Sequence, residues 1–382
     1  MSVTAALGFD AAAVAAGLKS SGGLDLAIVV NRGPLQHAAA VFTSNRSKAN
    51  PIIWSQQVIA DGTVSAIVLN SGGANCFTGA QGFHVTHATA EAVAEAIGVS
   101  AGDVLVCSTG LIGDQLPLEK VLAGVMAASA ALGKHGEDAS LAIMTTDSIP
   151  KRSIKLGPGY TIGAMAKGAG MLAPGLATML VVITTDAAVQ SAALDRALRE
   201  ATRLSFDRLD SDGCMSTNDQ VSLLASGASG VTPSDAEFTE LLTEVCHDLA
   251  GQLQTDAEGA SHDIRIEVIG AASEDDAVAV GRSVARNNLF KAAVFGNDPN
   301  WGRVLAAIGT TDAAFDPYDV DVSINGVRVC HAGGPDRPRT EVDLSPRRVV
   351  LVIDLRAGTE TATILTNDLT HDYVHENSAY AS

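Results

Sequence analysis

A threonine between a glycine-rich stretch and an apolar run is the residue in this sequence best placed for chemistry. The segment KGAGMLAPGLATMLVV spans residues 167–182, and Thr178 begins its apolar part. The glycines and Pro174 ahead of it predict a bent, closely packed loop. Strain in the peptide bond that joins Ala177 to Thr178 would favour an N→O acyl shift, in which the threonine hydroxyl attacks the preceding carbonyl.

Hydrolysis of the resulting ester would cut the chain and give Thr178 a free α-amino group. The pKa of such a group is roughly 7.7–8.0 when unperturbed, so it can act as a general base at neutral pH. A threonine activated by its own amine needs no histidine. The alternative for this position is an ordinary β-branched residue that begins a strand.

Other familiar catalytic and nucleotide-binding motifs are not found. The glycine-rich segments 20–23, 71–75 and 167–175 fit neither the P-loop pattern nor G-x-G-x-x-G after a strand, so they predict turns and close backbone packing. No G-x-S-x-G sequence occurs, and the histidines of HVTH at 84–87 lack a supporting ligand pattern. Five cysteines without a C-x-x-C pair indicate a reducing compartment and no structural zinc.

The composition is that of an aliphatic, acidic protein. The 382 residues are 47% hydrophobic but only 4% aromatic, and they suffice for one large α/β unit or two domains. A net charge of −18 argues against nucleic acid and against anionic membranes, because both bind basic surfaces. No run reaches the roughly 18 apolar residues of a membrane-spanning helix, and the first residues lack a signal peptide's basic segment. We therefore expect a cytoplasmic protein.

Apolar periodicity predicts helices and strands that alternate along the chain, as in an α/β or α+β fold. Ser234, with Glu237 three residues later, predicts the start of one long helix, and Gly259 its end. The tripeptide TTD begins at 145, 184 and 310, and it predicts strand-end turns for at least two of its copies. The predicted strands are 25–30, 65–70, 103–109 and 263–270, with more strands from about 318, and the predicted helices are 86–98, 118–132, 191–205 and 234–258.

Several blocks spread over the whole chain resemble the ornithine acetyltransferases, or glutamate N-acetyltransferases, of the ArgJ family in arginine biosynthesis. The segment that contains Thr178 resembles the self-cleavage segment of this family, and its MLAP sequence is similar to that of actinobacterial members. Gly175 and Ala381 depart from many relatives. The other blocks are LNSGGANCFTG (69–79), CSTGLIGDQLP (107–117), IMTTDSIPK (143–151), FDRLDSDGCMSTND (206–219), FGNDPNWGRVLAAIG (295–309) and ENSAYAS (376–382).

The resemblance implies roles for particular residues. Thr178, freed from Ala177, would be the cleavage nucleophile and then the acetyl carrier. Thr109 and Gly110 match the oxyanion hole, where a hydroxyl and a backbone N–H after a strand can supply two donors. The positions that match substrate-binding residues are Thr145, Lys167, Thr178, Glu258, Asn377 and Ser382. Within this set, Lys167 could pair with a substrate carboxylate and Glu258 with a substrate ammonium group.

The resemblance also implies an architecture and a reaction. The fold would consist of stacked β-sheets flanked by helices, in the self-cleaving N-terminal-nucleophile type of acyltransferase. An α chain (1–177) and a β chain (178–382), strand-rich from about 260, would stay associated, usually as an α2β2 heterotetramer. The reaction would be ping-pong acetyl transfer from N2-acetyl-L-ornithine to L-glutamate, with no metal or organic cofactor.

Three other functions remain open from the sequence. A bifunctional enzyme would also take acetyl groups from acetyl-CoA. A related self-cleaving aminopeptidase or amidohydrolase would share the nucleophile but release its product to water. A non-catalytic binding protein would keep its chain intact, and Thr178 would then be an ordinary strand residue.

Overall fold

The computed structural model of the chain describes residues 2–173 and 179–379. Ala177, Thr178 and Ser382, three of the predicted site residues, lie outside the described residues. No helix in the described ranges is both long enough and apolar enough to cross a membrane.

The strands belong to three sheets. They are β1 (Phe9–Val14), β2 (Leu26–Asn31), β3 (His37–Phe42), β4 (Ala66–Asn70), β5 (Val104–Ser108), β6 (Lys151–Gly157), β7 (Tyr160–Lys167), β8 (Leu180–Thr185), β9 (Gln220–Ala225), β10 (Asp263–Ala271), β11 (Asp321–Ile324), β12 (Val327–His331), β13 (Gly334–Pro335), β14 (Arg348–Asp354) and β15 (Glu360–Asn367).

The α-helices lie between these strands along the chain, except for the last helix, which follows β15. They are α1 (Asn50–Val58), α2 (Gly79–Ile97), α3 (Leu118–Ala130), α4 (Gly136–Ala142), α5 (Ser191–Leu204), α6 (Asp235–Thr255), α7 (Glu274–Ala285), α8 (Asn288–Phe295), α9 (Trp301–Ile308) and α10 (His371–Ala379).

The chain divides into two compact units. Unit 1 comprises Met1–Ala169, Gly175–Asp207 and Met215–Leu253, and it holds a four-stranded sheet of order β1-β2-β4-β5 and a five-stranded sheet of order β3-β9-β8-β7-β6. Side chains of both sheets share one buried core, so the two sheets are stacked face to face. This core includes Ala11, Val29, Ile67 and Leu105 from the first sheet and Ala38, Met165, Val182 and Leu224 from the second.

Helices cover the outer face of the four-stranded sheet. Side chains of β2, β4 and β5 that point away from the shared core pack against α2 and α3. Both faces of these strands are therefore buried, which explains why they read as continuous apolar runs without alternation. The residues that make this layer include Ile28, Val68 and Val106 of the sheet and Val85, Val93, Val121 and Val125 of the helices.

Unit 2 comprises Gly170–Pro174, Arg208–Cys214 and Gln254–Ser382. Its six-stranded sheet has the order β13-β12-β11-β14-β10-β15, with β10 and β14 parallel and β10 and β15 antiparallel. One face of the sheet packs on α7, α8 and α9 through a single apolar core. The strands alternate buried and partly buried residues, as expected of a sheet with one covered face.

The predicted class, stacked sheets flanked by helices, is confirmed. The Ser234 hydroxyl accepts from the N–H of Glu237 at 3.3 Å, which confirms the predicted start of α6. The helix ends at Thr255, however, before the predicted end at 258, and Gly259 has a φ of 59° in the turn that follows. A second difference concerns Lys167, which was predicted to lie in a loop. It is the last residue of β7, because its strand pairs with β8 up to that position.

Candidate active site

Thr109 and Gly110, the predicted oxyanion pair, follow β5 in unit 1. The Thr109 N–H donates to the Asn70 carbonyl, and the Thr109 carbonyl accepts from Gly73 N–H, both at 3.0 Å. The backbone therefore continues the pairing of β4 and β5 beyond the last strand residue. Gly110 has a φ of 127°, and a Cβ at this position would lie 2.8 Å from the Gly73 nitrogen, so only glycine fits. Within the described residues, no acceptor takes the Gly110 N–H.

Lys167 connects two of the predicted site residues. Its side chain is buried at the end of β7, with 2% of the residue exposed. The ammonium nitrogen lies 2.8 Å from Thr145 Oγ1 and 3.2 Å from Thr109 Oγ1. The structure thus brings together Thr109, Thr145 and Lys167, which are far apart in the sequence.

The direction of these hydrogen bonds determines what the two hydroxyl groups can do. An ammonium group only donates, so both threonine oxygens must accept from Lys167. The hydroxyl hydrogens of Thr109 and Thr145 must then point away from the lysine, and no described residue accepts either of them. A hydroxyl that accepts from a cation is also a stronger donor, because the two bonds polarise each other. The Thr109 hydroxyl can therefore donate to an acceptor other than these described residues.

Asp147 is a buried carboxylate to which the sequence analysis gave no role of its own, although it lies in the block IMTTDSIPK. Its Oδ1 accepts from Gly168 N–H and from Lys151 Nζ, both at 2.6 Å, and its Oδ2 accepts from Thr145 N–H at 2.9 Å. Burial would raise the pKa of Asp147, but the charges of Lys167 and Lys151 and the hydrogen bonds from Gly168 and Lys151 together lower it below its ordinary value. Asp147 is thus an ionised carboxylate that holds the residues around Lys167.

Lys19 is a third lysine of this region, after Lys167 and Lys151, and the sequence analysis missed it. Its ammonium group donates to the Met144 carbonyl at 2.7 Å and to the Leu24 carbonyl at 3.1 Å. Burial lowers the pKa of Lys19, the nearby Lys167 adds to this effect, and the charges of Asp25 and Asp147 oppose it. No signal in the sequence marks Lys19, because a lysine in a loop is usually a solvated charge.

The other predicted residues with described positions lie in unit 2. Asn377, in α10, donates from Nδ2 to Glu258 Oε2 at 2.9 Å and to the Tyr373 carbonyl at 3.0 Å. The backbone of Gly170 packs directly on the Glu258 carboxylate, so that a Cβ on this glycine would collide with it. The structure therefore brings Glu258 and Asn377, two of the predicted substrate-binding residues, into contact.

The segment ahead of the predicted cleavage position is held within unit 2 by Asp212. The Met171 N–H donates to Asp212 Oδ2 at 2.7 Å, and the Cys214 N–H donates to Asp212 Oδ1 at 3.0 Å. Burial raises the pKa of Asp212, and these two hydrogen bonds oppose the rise. Met171 has a φ of 53°, a conformation that is costly for a residue with a side chain, so this segment carries backbone strain.

Comparison with known proteins shows which family the chain belongs to. The model of the ArgJ family matches residues 10–382. The chain belongs to the ArgJ family. A curated relative from Streptomyces avermitilis, an arginine biosynthesis bifunctional protein ArgJ, is 64% identical over 383 residues, which cover 100% of both chains. The protein of the same name from Mycobacterium leprae is 55% identical over 391 residues, which cover 100% of this chain and 96% of the relative.

Solved structures of the family are also similar to this chain. Ornithine acetyltransferase complexed with ornithine, from Mycobacterium tuberculosis, is 49% identical, with 47% of this chain and 96% of that chain covered and a TM-score of 0.43. The arginine biosynthesis bifunctional protein ArgJ from Bacillus halodurans is 32% identical, with 52% and 97% covered and a TM-score of 0.49.

Membership of the ArgJ family confirms the predicted enzyme class, an acyltransferase of arginine biosynthesis. It also gives the arrangement around Lys167 a chemical meaning. Acyl transfer passes through a tetrahedral oxyanion, which needs donors that are already in position. The predicted donors for this oxyanion are the Thr109 hydroxyl and the Gly110 N–H.

Proposed function

We propose that this ArgJ family member transfers an acetyl group from N2-acetyl-L-ornithine to L-glutamate, after cleavage of its own chain between Ala177 and Thr178. The observation that carries the proposal is the orientation of Thr109. The ammonium group of Lys167 donates to Thr109 Oγ1 at 3.2 Å. The hydroxyl hydrogen of Thr109 is therefore left to donate, together with the Gly110 N–H, to a developing oxyanion.

The first step makes the nucleophile. The Thr178 hydroxyl attacks the Ala177 carbonyl carbon, the C–N bond breaks, and the hydroxyl proton ends on the departing nitrogen. Water then hydrolyses the ester and releases the α chain (1–177) from the β chain (178–382). The product has a free amine on Thr178, next to its own hydroxyl.

The second step is a ping-pong reaction. The Thr178 amine takes the hydroxyl proton while the oxygen attacks the acetyl carbonyl of N2-acetylornithine, and the same proton is delivered to the departing amine of ornithine. The amino group of glutamate then attacks the acetyl carbonyl, and the ester bond to the Thr178 oxygen breaks. The Thr178 amine carries the proton from the attacking nitrogen to that oxygen, and N-acetylglutamate leaves. Thr109 and Gly110 donate to the oxyanion in both halves of the reaction, and the chain's own groups supply every proton transfer.

We assign the substrate-binding roles to Thr145, Lys167, Thr178, Glu258, Asn377 and Ser382. The contact between Asn377 and Glu258 supports two of these assignments, because the amide orients a carboxylate suited to an ammonium group. The burial of Lys167 between two hydroxyl groups supports a role in orienting Thr109 and Thr145. We further propose that the α and β chains stay associated as an α2β2 heterotetramer in the cytoplasm.

A second donor, acetyl-CoA, is favoured by one observation. Curated relatives that are 60–64% identical to this chain carry the name bifunctional protein. An enzyme with two acetyl donors would use the same Thr178 and the same oxyanion donors for both.

The test is product analysis with purified protein and isotopically labelled N2-acetylornithine, with and without glutamate. We expect labelled N-acetylglutamate, and ornithine release that depends on glutamate beyond the first turnover. Release of labelled acetate at the same rate without glutamate would instead identify a hydrolase. Replacing the donor by acetyl-CoA tests the second activity in the same assay.

A further inference from the structure

Two adjacent buried residues contact both sides of the proposed reaction centre in unit 1. Asn218 and Asp219 immediately precede β9 and are 5% and 0% exposed. Nothing in the sequence marked them beyond their place in the block FDRLDSDGCMSTND, and the proposed mechanism does not use them.

Asn218 holds the strand end that presents the oxyanion donors. Its Nδ2 donates to the Ser108 carbonyl at 2.8 Å and to the Ala74 carbonyl at 2.6 Å. Ser108 directly precedes Thr109. The remaining polar atom of the amide, Oδ1, accepts from the Thr217 hydroxyl at 2.5 Å. The Asn218 amide thus uses both of its N–H groups and one of the two lone pairs of Oδ1. Its two N–H groups fix backbone carbonyls near Thr109.

Asp219 holds the residue that follows the proposed nucleophile. Its Oδ1 accepts from Met179 N–H at 3.1 Å, and Met179 N is covalently bonded to the carbonyl carbon of Thr178. The Met179 carbonyl in turn accepts from the N–H of Gln220 at 3.2 Å, so Met179 is bonded on both sides. Two consecutive residues therefore hold the two strand ends: Asn218 holds the end of β5, and Asp219 holds the start of β8.

We propose that Asn218 and Asp219 form a positioning pair, in which one residue fixes Thr109 and the other fixes the peptide that follows Thr178. The inference rests on the proposed function, because it takes Thr178 as the nucleophile. Attack on an acetyl carbonyl and stabilisation of the oxyanion both depend on the distance between these two elements, and a shift of about 1 Å can cost about 100-fold in rate. Consecutive residues on one backbone keep that distance fixed.

The environment of Asp219 favours a neutral carboxyl group. Burial raises the pKa of Asp219 well above its ordinary value, although the Met179 N–H, the hydroxyls of Ser216 and Thr43 and the charge of Lys167 favour ionisation. Oδ2 has no hydrogen-bond partner of good geometry in the described part of the chain. A neutral acid still accepts the Met179 N–H through its carbonyl oxygen, so positioning needs no charge.

Two substitutions of Asp219 distinguish a positioning role from a role in proton transfer. An asparagine at 219 keeps the shape, the neutrality and the acceptor for Met179, but it cannot take up or release a proton. An alanine is also neutral, but it loses both the shape and the acceptor. If Asp219 only positions, Asp219→Asn should work and Asp219→Ala should not; if it transfers protons, both should fail.

Asp186 provides a matched control at the other end of β8. It is also buried, and its carboxylate accepts from Leu7 N–H at 2.9 Å and from Thr161 N–H at 2.7 Å. Asp186→Ala therefore removes a buried carboxylate that holds backbone N–H groups beside the same strand, away from Thr109. It reports the effect of lost stability alone.

The experiment measures self-cleavage by intact mass, and then kcat, KM and the thermal midpoint on fully cleaved protein. We expect Asp219→Asn to keep kcat within about threefold, and Asp219→Ala to lower kcat about 100-fold with KM within about threefold. Asp186→Ala should lower the thermal midpoint while kcat stays unchanged. A wild-type kcat in Asp219→Ala, or an equal loss in Asp219→Asn, would overturn the proposal.

A second variant covers the case in which Asp219→Ala does not fold. Asn218→Ala removes the other half of the pair, and we expect at least a tenfold fall in kcat with little change in KM. Wild-type kcat in this variant would overturn the pair. Failure of the proposed function looks different, because the wild-type protein itself would then neither cleave nor transfer acetyl groups.

Discussion

The hydroxyl of Thr109 shows how one neighbour can decide the role of a residue. A threonine hydroxyl can donate or accept, and in isolation it would adapt to any partner. Here Lys167 lies 3.2 Å from the oxygen and can only donate to it, so the hydrogen is directed elsewhere. The lysine itself is held by Thr145 at 2.8 Å, and the carboxylate of Asp147 accepts from the Thr145 N–H.

Removing this hydroxyl tests its proposed role directly. We expect Thr109→Val to lower kcat for acetyl transfer by about 100- to 1,000-fold, the usual cost of losing one oxyanion donor. Thr109→Ser keeps the hydroxyl and should stay within about tenfold of the wild-type kcat. The measurement is steady-state kinetics on fully cleaved protein.

The matched control for this pair is Thr310→Val, which removes the hydroxyl of an exposed threonine in unit 2. It should leave kcat unchanged. Equal activity of Thr109→Val and wild type would show that the hydroxyl is not an oxyanion donor.

At the scale of elements, Asp147 joins segments that are distant in the sequence. It lies between α4 and β6, yet it accepts from the N–H that follows β7 and from the lysine that begins β6. The side chains of Asp147 and Lys151 are both fully buried, and Asp147 Oδ1 lies 2.6 Å from Lys151 Nζ. Breaking such a pair leaves an uncompensated buried charge, which is usually strongly destabilising.

We expect Asp147→Asn to lower the free energy of unfolding at pH 7 by roughly 3–5 kcal/mol. The pKa of Asp147 is lowered on folding, so its contribution is present above the ordinary value of 3.8 and is lost as pH falls below it. The difference between variant and wild type should therefore shrink in acid. Urea unfolding at several pH values measures this.

Asp138→Asn, at a half-exposed carboxylate, is the control for the change of charge. It should alter the free energy of unfolding by less than about 0.5 kcal/mol. An Asp147→Asn variant as stable as this control at pH 7 would show that the buried pair contributes nothing.

Elements with strong apolar runs could be predicted from the sequence, and their positions agree with the structure. The strands at 65–70 and 103–109 correspond to β4 and β5, and the helix at 118–132 corresponds to α3. The strand β1 was missed, because its sequence FDAAAV is rich in alanine, which favours helices. It is a strand because its backbone pairs with β2 along its full length.

The candidate site could be predicted only in part, for a physical reason. Thr109, Thr145 and Lys167 were found through their family blocks, but a sequence does not show which of them contact one another. Asp147, Lys19 and Asp219 were missed because the role of a buried ionisable group depends on its partners. Only the fold brings those partners together.

At the scale of the whole molecule, the five-stranded sheet is built from both proposed chains. The strands β3, β6 and β7 precede the proposed cut, and β8 and β9 follow it. The pairing of β7 with β8 is antiparallel over six residues, and that of β3 with β9 also covers six. The two sides of the cut are therefore joined by complete ladders and by the core beneath them.

This arrangement predicts that the cut chains stay together. Under native conditions, size-exclusion chromatography and native mass spectrometry should give one species that contains both chains, even after prolonged dilution. Under denaturing conditions the two chains should separate. Dissociation of the α and β chains in native buffer would contradict the shared sheet.

The central claim is that Thr178 becomes the N-terminal nucleophile, and the intact mass under denaturing conditions tests it most directly. Purified wild-type protein should give two species of 177 and 205 residues, and Thr178→Ala should give a single species of 382 residues without transferase activity. Wild-type protein that remains one full-length chain after long incubation yet transfers acetyl groups would contradict the claim, because the amine that serves as general base would never have formed.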